Sequence, residues 1–225
     1  DLPVTLRVDG ELDAIADTII STNTSASDWN LLGNPYSHHI DVEKLLNHNS
    51  SFHSSLYVWD KEAATYRVHN GLIGDLDEGL IAPFSGFWIQ ADDDGHTFNF
   101  NDQEIIAGRN SSADDSQGNA VFTFNSENFS SSVFLSFSLD GDVNLESADA
   151  SRLMPISNVE HLTSMIYNSN KSLSINNMPT ISETDMSYDL DVMLLNPSEN
   201  GYETQDAQIS MSWDMSGLPE GISIV

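Results

Sequence analysis

The side chains with the most obvious chemistry in this sequence are carboxylates set in turns. Asp92-Asp93-Asp94-Gly95 is one such turn, and Asp140-Gly141-Asp142-Val143-Asn144, followed by Glu146 and Asp149, is another. Calcium takes about six to eight oxygen ligands from a flexible loop, so Asp92, Asp93, Asp94, Asp140, Asp142, Asn144 and Asp149 form the candidate metal set, with Ca2+ as the ion. The plainer reading is solvated turns in a chain that places Asp in every loop. The second segment matches an EF-hand loop only at its start. Leu145 stands where the sharp-turn glycine belongs, and Ser151 where the bidentate glutamate belongs.

A second set is aromatic. Tyr57, Trp59 and Tyr66 fall on one predicted hairpin, and Tyr57 and Trp59, two apart, share a face. An exposed row of rings stacks on the apolar face of a pyranose, which makes these three the candidate glycan-binding residues. The competing reading is core packing, the role assigned to Trp29, Phe87, Trp88 and Trp213. His38, His39, His48, His53, His69 and His96 lack the convergent spacing that zinc requires and read as polar loop residues. There is no Gly-x-Ser-x-Gly elbow, phosphate-cradling glycine loop or dinucleotide fingerprint. Two facing carboxylates could make a glycosidase, but among 35 acids no pair stands out.

Those acids face only seven Lys+Arg, a formal net charge of −28 over 225 residues. Such a chain repels phosphate backbones and anionic lipid, which excludes nucleic acid and membrane surfaces as partners. The excess acid also fits a saline habitat, where salt screens self-repulsion. Cysteine is absent, which removes disulfides and thiolate chemistry. No apolar run reaches the ~20 residues that span a bilayer, so membrane insertion is not expected.

Apolar residues recur with period two. Val4, Leu6 and Val8 alternate, as do Leu135, Phe137 and Leu139; Leu190, Val192 and Leu194; and Ile209, Met211, Trp213 and Met215. Short strand candidates fill the intervals: 15–20, 29–32, 56–59, 65–69, 87–91, 97–100, 121–124 and 173–175. Asn, Asp, Gly and Ser turns separate them. Only 41–47 and 147–153 read as helical. The expected fold is all-β, one large or two packed β-sandwich (jelly-roll or Ig-like) modules. The polar run 109–118 reads as a linker or long loop between residues 1–108 and 119–225. Residues 218–225 read as a strand that runs on, so a longer parent chain is expected.

Trp29-Asn30-Leu31-Leu32-Gly33-Asn34-Pro35-Tyr36, followed by Ile40-Asp41, resembles a "GWNLxGNPYPxxIDW" block. That block marks β-rich modules of Bacteroidota surface and secreted proteins, which stand upstream of a type IX secretion sorting domain. Leu56–Asp60 with Thr65–Val68, Leu80–Ala91, Asp149–Leu153 and Leu173–Asn176 resemble later segments of the same pattern, in order. Ser37 and His38 depart from it after the GNPY element. The resemblance implies a secreted or cell-surface module and carries no catalytic residues across. The resulting expectation is a non-catalytic module for adhesion or glycan binding, supported by calcium. Its alternatives are a structural spacer and a carboxylate-based glycoside hydrolase.

Overall fold

The computed structural model describes residues 19–21, 29–91, 96–100, 105, 118–155, 158–180 and 185–224. The alternation at Val4–Val8, most of 15–20, Asp92–Asp94 and nearly all of 109–118 lie outside the described residues.

The chain is all-β. Its first strands are β1 (Ile19–Ser21), β2 (Trp29–Gly33) and β3 (Ile40–Asp41), which leads into the single described α-helix, α1 (Val42–His48). Then come β4 (Phe52–Asp60), β5 (Thr65–His69), β6 (Leu80–Ile81), β7 (Gly86–Ala91) and β8 (Thr97–Asn99). Beyond the expected linker lie β9 (Gly118–Asn125), β10 (Ser130–Ser138), β11 (Ala150–Ser151), β12 (His161–Asn168) and β13 (Lys171–Pro179). The last three are β14 (Asp189–Ser198), β15 (Gly201–Gln205) and β16 (Ser210–Gly217). Three of the histidines read as loop residues stand elsewhere: His48 ends α1, while His53 and His69 lie on strands.

In the first part, the antiparallel sheet β2–β7–β4–β5 is flanked by the pairs β1–β8 and β3–β6. Strand β5 shows why the sequence was readable here. Tyr66 and Val68 are buried while Thr65, Arg67 and His69 are half-buried, the alternation that a half-covered strand produces. Helix α1 starts where Asp41 caps it, its carboxylate accepting from the Lys44 N–H at 3.2 Å. It buries Val42, Leu45 and Leu46. The WNLLGNPY block is a structural hub. The Asn34 side-chain amide donates to the carbonyls of His38 (2.9 Å), Ala82 (3.0 Å) and Ile81 (3.1 Å), and its oxygen accepts from the Tyr36 N–H at 2.9 Å.

In the second part, one sheet runs β15–β14–β12–β13–β10–β9–β16, with β11 pairing β13 from the side. All its pairs are antiparallel except β10–β13, which is parallel. The two edge strands, β15 and β16, are consecutive in sequence and joined by only Asp206–Ile209. A flat sheet of this order would separate its edges by about 29 Å at roughly 4.8 Å per strand. Five Cα steps reach about 18 Å at most. The sheet therefore has to curl, and it forms a half-barrel. Its inner face gathers Phe124, Val133, Leu135, Phe137, Leu162 and Leu194.

Two sequence expectations fail locally. Residues 147–153 are not helical. Asp149 bonds outward to the Asn177 N–H of β13, and Ala150 pairs with Ile175, so this segment is spent as a short strand. Residues 218–224 form no strand either; Ile222 N–H closes a turn onto the Pro219 carbonyl at 3.2 Å.

Candidate functional site

The aromatic row does not stand open to solvent. Tyr57 is 2% exposed and Tyr66 6%; with Val68 they pack against Phe134, Ala150 and Ile175 of the second part. The Tyr57 hydroxyl donates to the Ser151 carbonyl at 2.8 Å. Trp29 meets Tyr57 edge-on at 5.2 Å, and Trp59 meets Tyr66 at 5.1 Å. Tyr57 and Tyr66 are thus corrected from platform to interface core, because the face they share is the one on which the two parts pack. Trp59, half-buried, sits at the rim of that interface. Conversely Trp213, assigned to the core, is 59% exposed.

An open cleft of about 640 Å³ does lie at the end of the β4–β5 hairpin, lined by Val58–Glu62, Arg67 and Asp75–Asp77. Val58 pairs with Arg67 while Trp59 pairs with Tyr66, so these pairs project from opposite faces. Three of its charged groups, Arg67, Asp60 and Asp75, are engaged with one another. Arg67 Nε donates to Asp60 Oδ2 at 3.0 Å, and its Nη1 lies 3.5 Å from Asp75 Oδ2. Burial raises Asp75 above the usual carboxylate range against the opposing pull of the Val68 N–H and Arg67. Burial acts the same way on Asp60, but N–H donors from Ala63 and Glu62 together with Arg67 outweigh it and hold Asp60 low. Two carboxyls pushed apart are the pattern of an acid–base pair. Here, however, Asp60 Oδ1 accepts from Glu62 and Ala63 N–H, and Asp75 Oδ1 from Val68 N–H, so the oxygens serve a clamp.

The acidic segment 140–149 is likewise tied to nearby groups, its own main chain and Asn177 of β13. Asp142 Oδ1 accepts from the Asn144 N–H (2.8 Å) and side-chain amide (2.9 Å). Asp149 Oδ1 accepts from Asn177 N–H at 2.7 Å and its Oδ2 from Glu146 N–H at 2.9 Å; Asn177 in turn donates to Glu146 Oε1. Gly141 lets the turn close. A Cβ there would stand 2.2 Å from the Met178 carbonyl oxygen. Among the described residues no group of three or more His, Asp or Glu side chains is arranged to hold a metal ion.

Burial pushes Asp149 up to about 6, against its two N–H donors and with the negative charges of Glu146 and Asp142. Such a group binds its proton more tightly in the folded state. Its stabilising contribution is complete below about pH 4 and is lost as pH rises through 6. Denaturant unfolding across pH 4–7 should show the wild type losing stability over this window relative to Asp149→Asn, which has no proton to lose. Parallel curves would remove Asp149 as a titrating group.

Behind the hairpin, Arg152 turns its guanidinium inward. Nη2 donates to Ser131 Oγ at 2.8 Å, Nε to Thr163 Oγ1 at 3.1 Å, and Nη1 reaches Ser174 Oγ at 3.5 Å. All three hydroxyl residues are buried. Burial lowers the Arg152 pKa from its usual value, and the negative charge of Asp75 works against that shift.

A second cavity lies at the mouth of the half-barrel. It measures about 660 Å³ and is lined by residues 125–129, Glu160, Leu194 and 205–210. Phe129, Leu194 and Ile209 belong to the inner-face core and give it an apolar floor. Asn125, Asn128, Gln208, Glu127, Glu160 and Asp206 supply amides and carboxylates, and among the described residues no Lys, Arg or His lines it. Mouths of β-barrels are common small-molecule sites, and this volume is in their range. Sequence reading missed it because its walls come from three distant turns. The one local signal was the polar Asn125–Asn128 turn ahead of Phe129.

Compared with known proteins, the chain matches no family model, no curated protein and no solved structure, so the chemistry of this mouth rests on its own geometry.

Proposed function

We propose that this chain is a non-catalytic glycan-binding module of a secreted or cell-surface protein, working in adhesion or ligand display. The observation that carries the reading is the mouth of the half-barrel, where an apolar floor with an aromatic ring meets a rim of amide and carboxylate groups. Planar amides and carboxylates exchange hydrogen bonds with sugar hydroxyls, while Phe129 offers its ring to the C–H face of a pyranose. Resemblance of the WNLLGNPY block to Bacteroidota surface modules supports the extracellular setting, and the −28 charge suits a saline one.

The test is retention on a panel of soluble and insoluble polysaccharides, in calcium and again with chelator. Binding that Phe129→Ala reduces at least tenfold supports the mouth as the site. Loss on chelation would add calcium at the 140–149 turn or at Asp92–Asp94; survival would leave the mouth acting without metal. No retention on any polysaccharide would favour a structural spacer.

A further inference from the structure

Strand β16 continues the floor of the mouth. Ile209 lines the cleft, and Met211, Trp213 and Met215 follow at alternate positions, so they project from the same face. The register agrees: Met211 stands opposite Phe124 and Trp213 opposite Phe122, both on the inner face of the half-barrel. Yet β16 is an edge strand, and there Met211 is 48% and Trp213 59% exposed. An apolar strip therefore runs out of the mouth and carries an open indole. Four residues of strand place Trp213 about 13 Å from Ile209. A single sugar ring does not cover that span; a chain of several does.

Resting on the glycan reading above, we infer that the ligand is an uncharged polysaccharide chain lying along the inner face of β16, with Trp213 as a stacking subsite beyond the mouth. The absence of charge follows from the walls. Glu127, Glu160 and Asp206 line the mouth, Asp214 stands on β16, and among the described residues no cationic side chain lines the cleft to receive a uronate or sulfate. Arg is the residue that binds such anions in a fork; Arg67 is held by Asp60 and Asp75, and Arg152 is engaged by Ser131, Thr163 and Ser174. A second copy of the chain is a poor occupant, since each carries −28.

The test titrates β-glucan, mannan and N-acetylglucosamine oligosaccharides, from monosaccharide to hexasaccharide, by calorimetry against wild type, Trp213→Ala and Phe129→Ala. One series should bind with affinity that climbs with length. Trp213→Ala should cut hexasaccharide affinity by about three- to tenfold, the worth of one aromatic stacking contact, and leave disaccharide affinity unchanged. Phe129→Ala should weaken every length. Affinity independent of length, an equal effect of Trp213→Ala on all lengths, or tighter binding of alginate than of any neutral polymer would each overturn the inference while leaving the mouth a sugar site. A wild-type dimer in sedimentation that Trp213→Ala dissolves would assign the strip to a second copy and overturn it too. Absence of binding by every series would overturn the glycan reading itself.

Discussion

Replacing Arg152 with methionine should cost about 3–5 kcal/mol of unfolding free energy, the range seen when one member of a buried charge network is removed. Methionine keeps most of the stem's packing and deletes only the guanidinium. Ser174 and Thr163 then lose their charged donor, and Asp75, already raised by burial, keeps only the half-exposed Arg67 as a cation in contact. For a chain of this size the loss corresponds to a melting temperature lower by roughly 6–20 °C. Adding Asp75→Asn should recover at least about 1 kcal/mol, because it removes the stranded charge that makes the single variant costly. Urea unfolding of the two variants decides it. A single variant within about 1 kcal/mol of wild type would mean that water reaches the guanidinium and that its three hydroxyl partners are incidental.

Tyr57→Ala should be nearly as damaging, about 3–5 kcal/mol, since the ring is fully enclosed where the two parts of the chain meet. Trp59→Ala, at the rim of the same face, should cost only about 1–2 kcal/mol, from one edge-on ring contact and partial burial. Neither should change glycan affinity at temperatures where both variants are folded. Thermal melts and the polysaccharide panel, run side by side, separate the two roles. If Trp59→Ala abolished retention without lowering the melting temperature, the hairpin would regain its place as the binding platform.

Those two residues also show what the sequence could and could not reveal. That Tyr57 and Trp59 share a face follows from the period of a strand, and it holds. What covers that face is a tertiary fact: Phe134 and Ile175 lie far along the chain. The strands that were readable are those with one wet side, such as β5. Strand β12 escaped notice because six of its residues in a row are buried, Thr163 and Ser164 among them, so neither alternation nor hydrophobicity marks it. Its buried hydroxyls make sense only beside Arg152 and Ser131, which no local window contains. The parallel pairing of β10 with β13 is invisible for the same reason. The acidic turns were legible as turns. Their donors were not, since Asp149 is satisfied by main-chain N–H groups that any residue would offer. The mouth was the least legible feature, because a cavity belongs to the curl of the sheet and to no segment of it.

The pairing of β16 with β9 joins Ser210 to Asn125, 85 positions apart. During synthesis at roughly 5–20 residues per second, β9 leaves the ribosome many seconds before its outer neighbour exists. Throughout that interval the growing sheet presents an unprotected margin carrying Phe122 and Phe124, the kind of margin on which strands of other chains nucleate. Closure that late also makes folding slow, since distant pairings have to be found before they are rewarded. The dense negative charge thus has a kinetic consequence as well as a static one: nascent chains with exposed margins repel one another while they wait for β16.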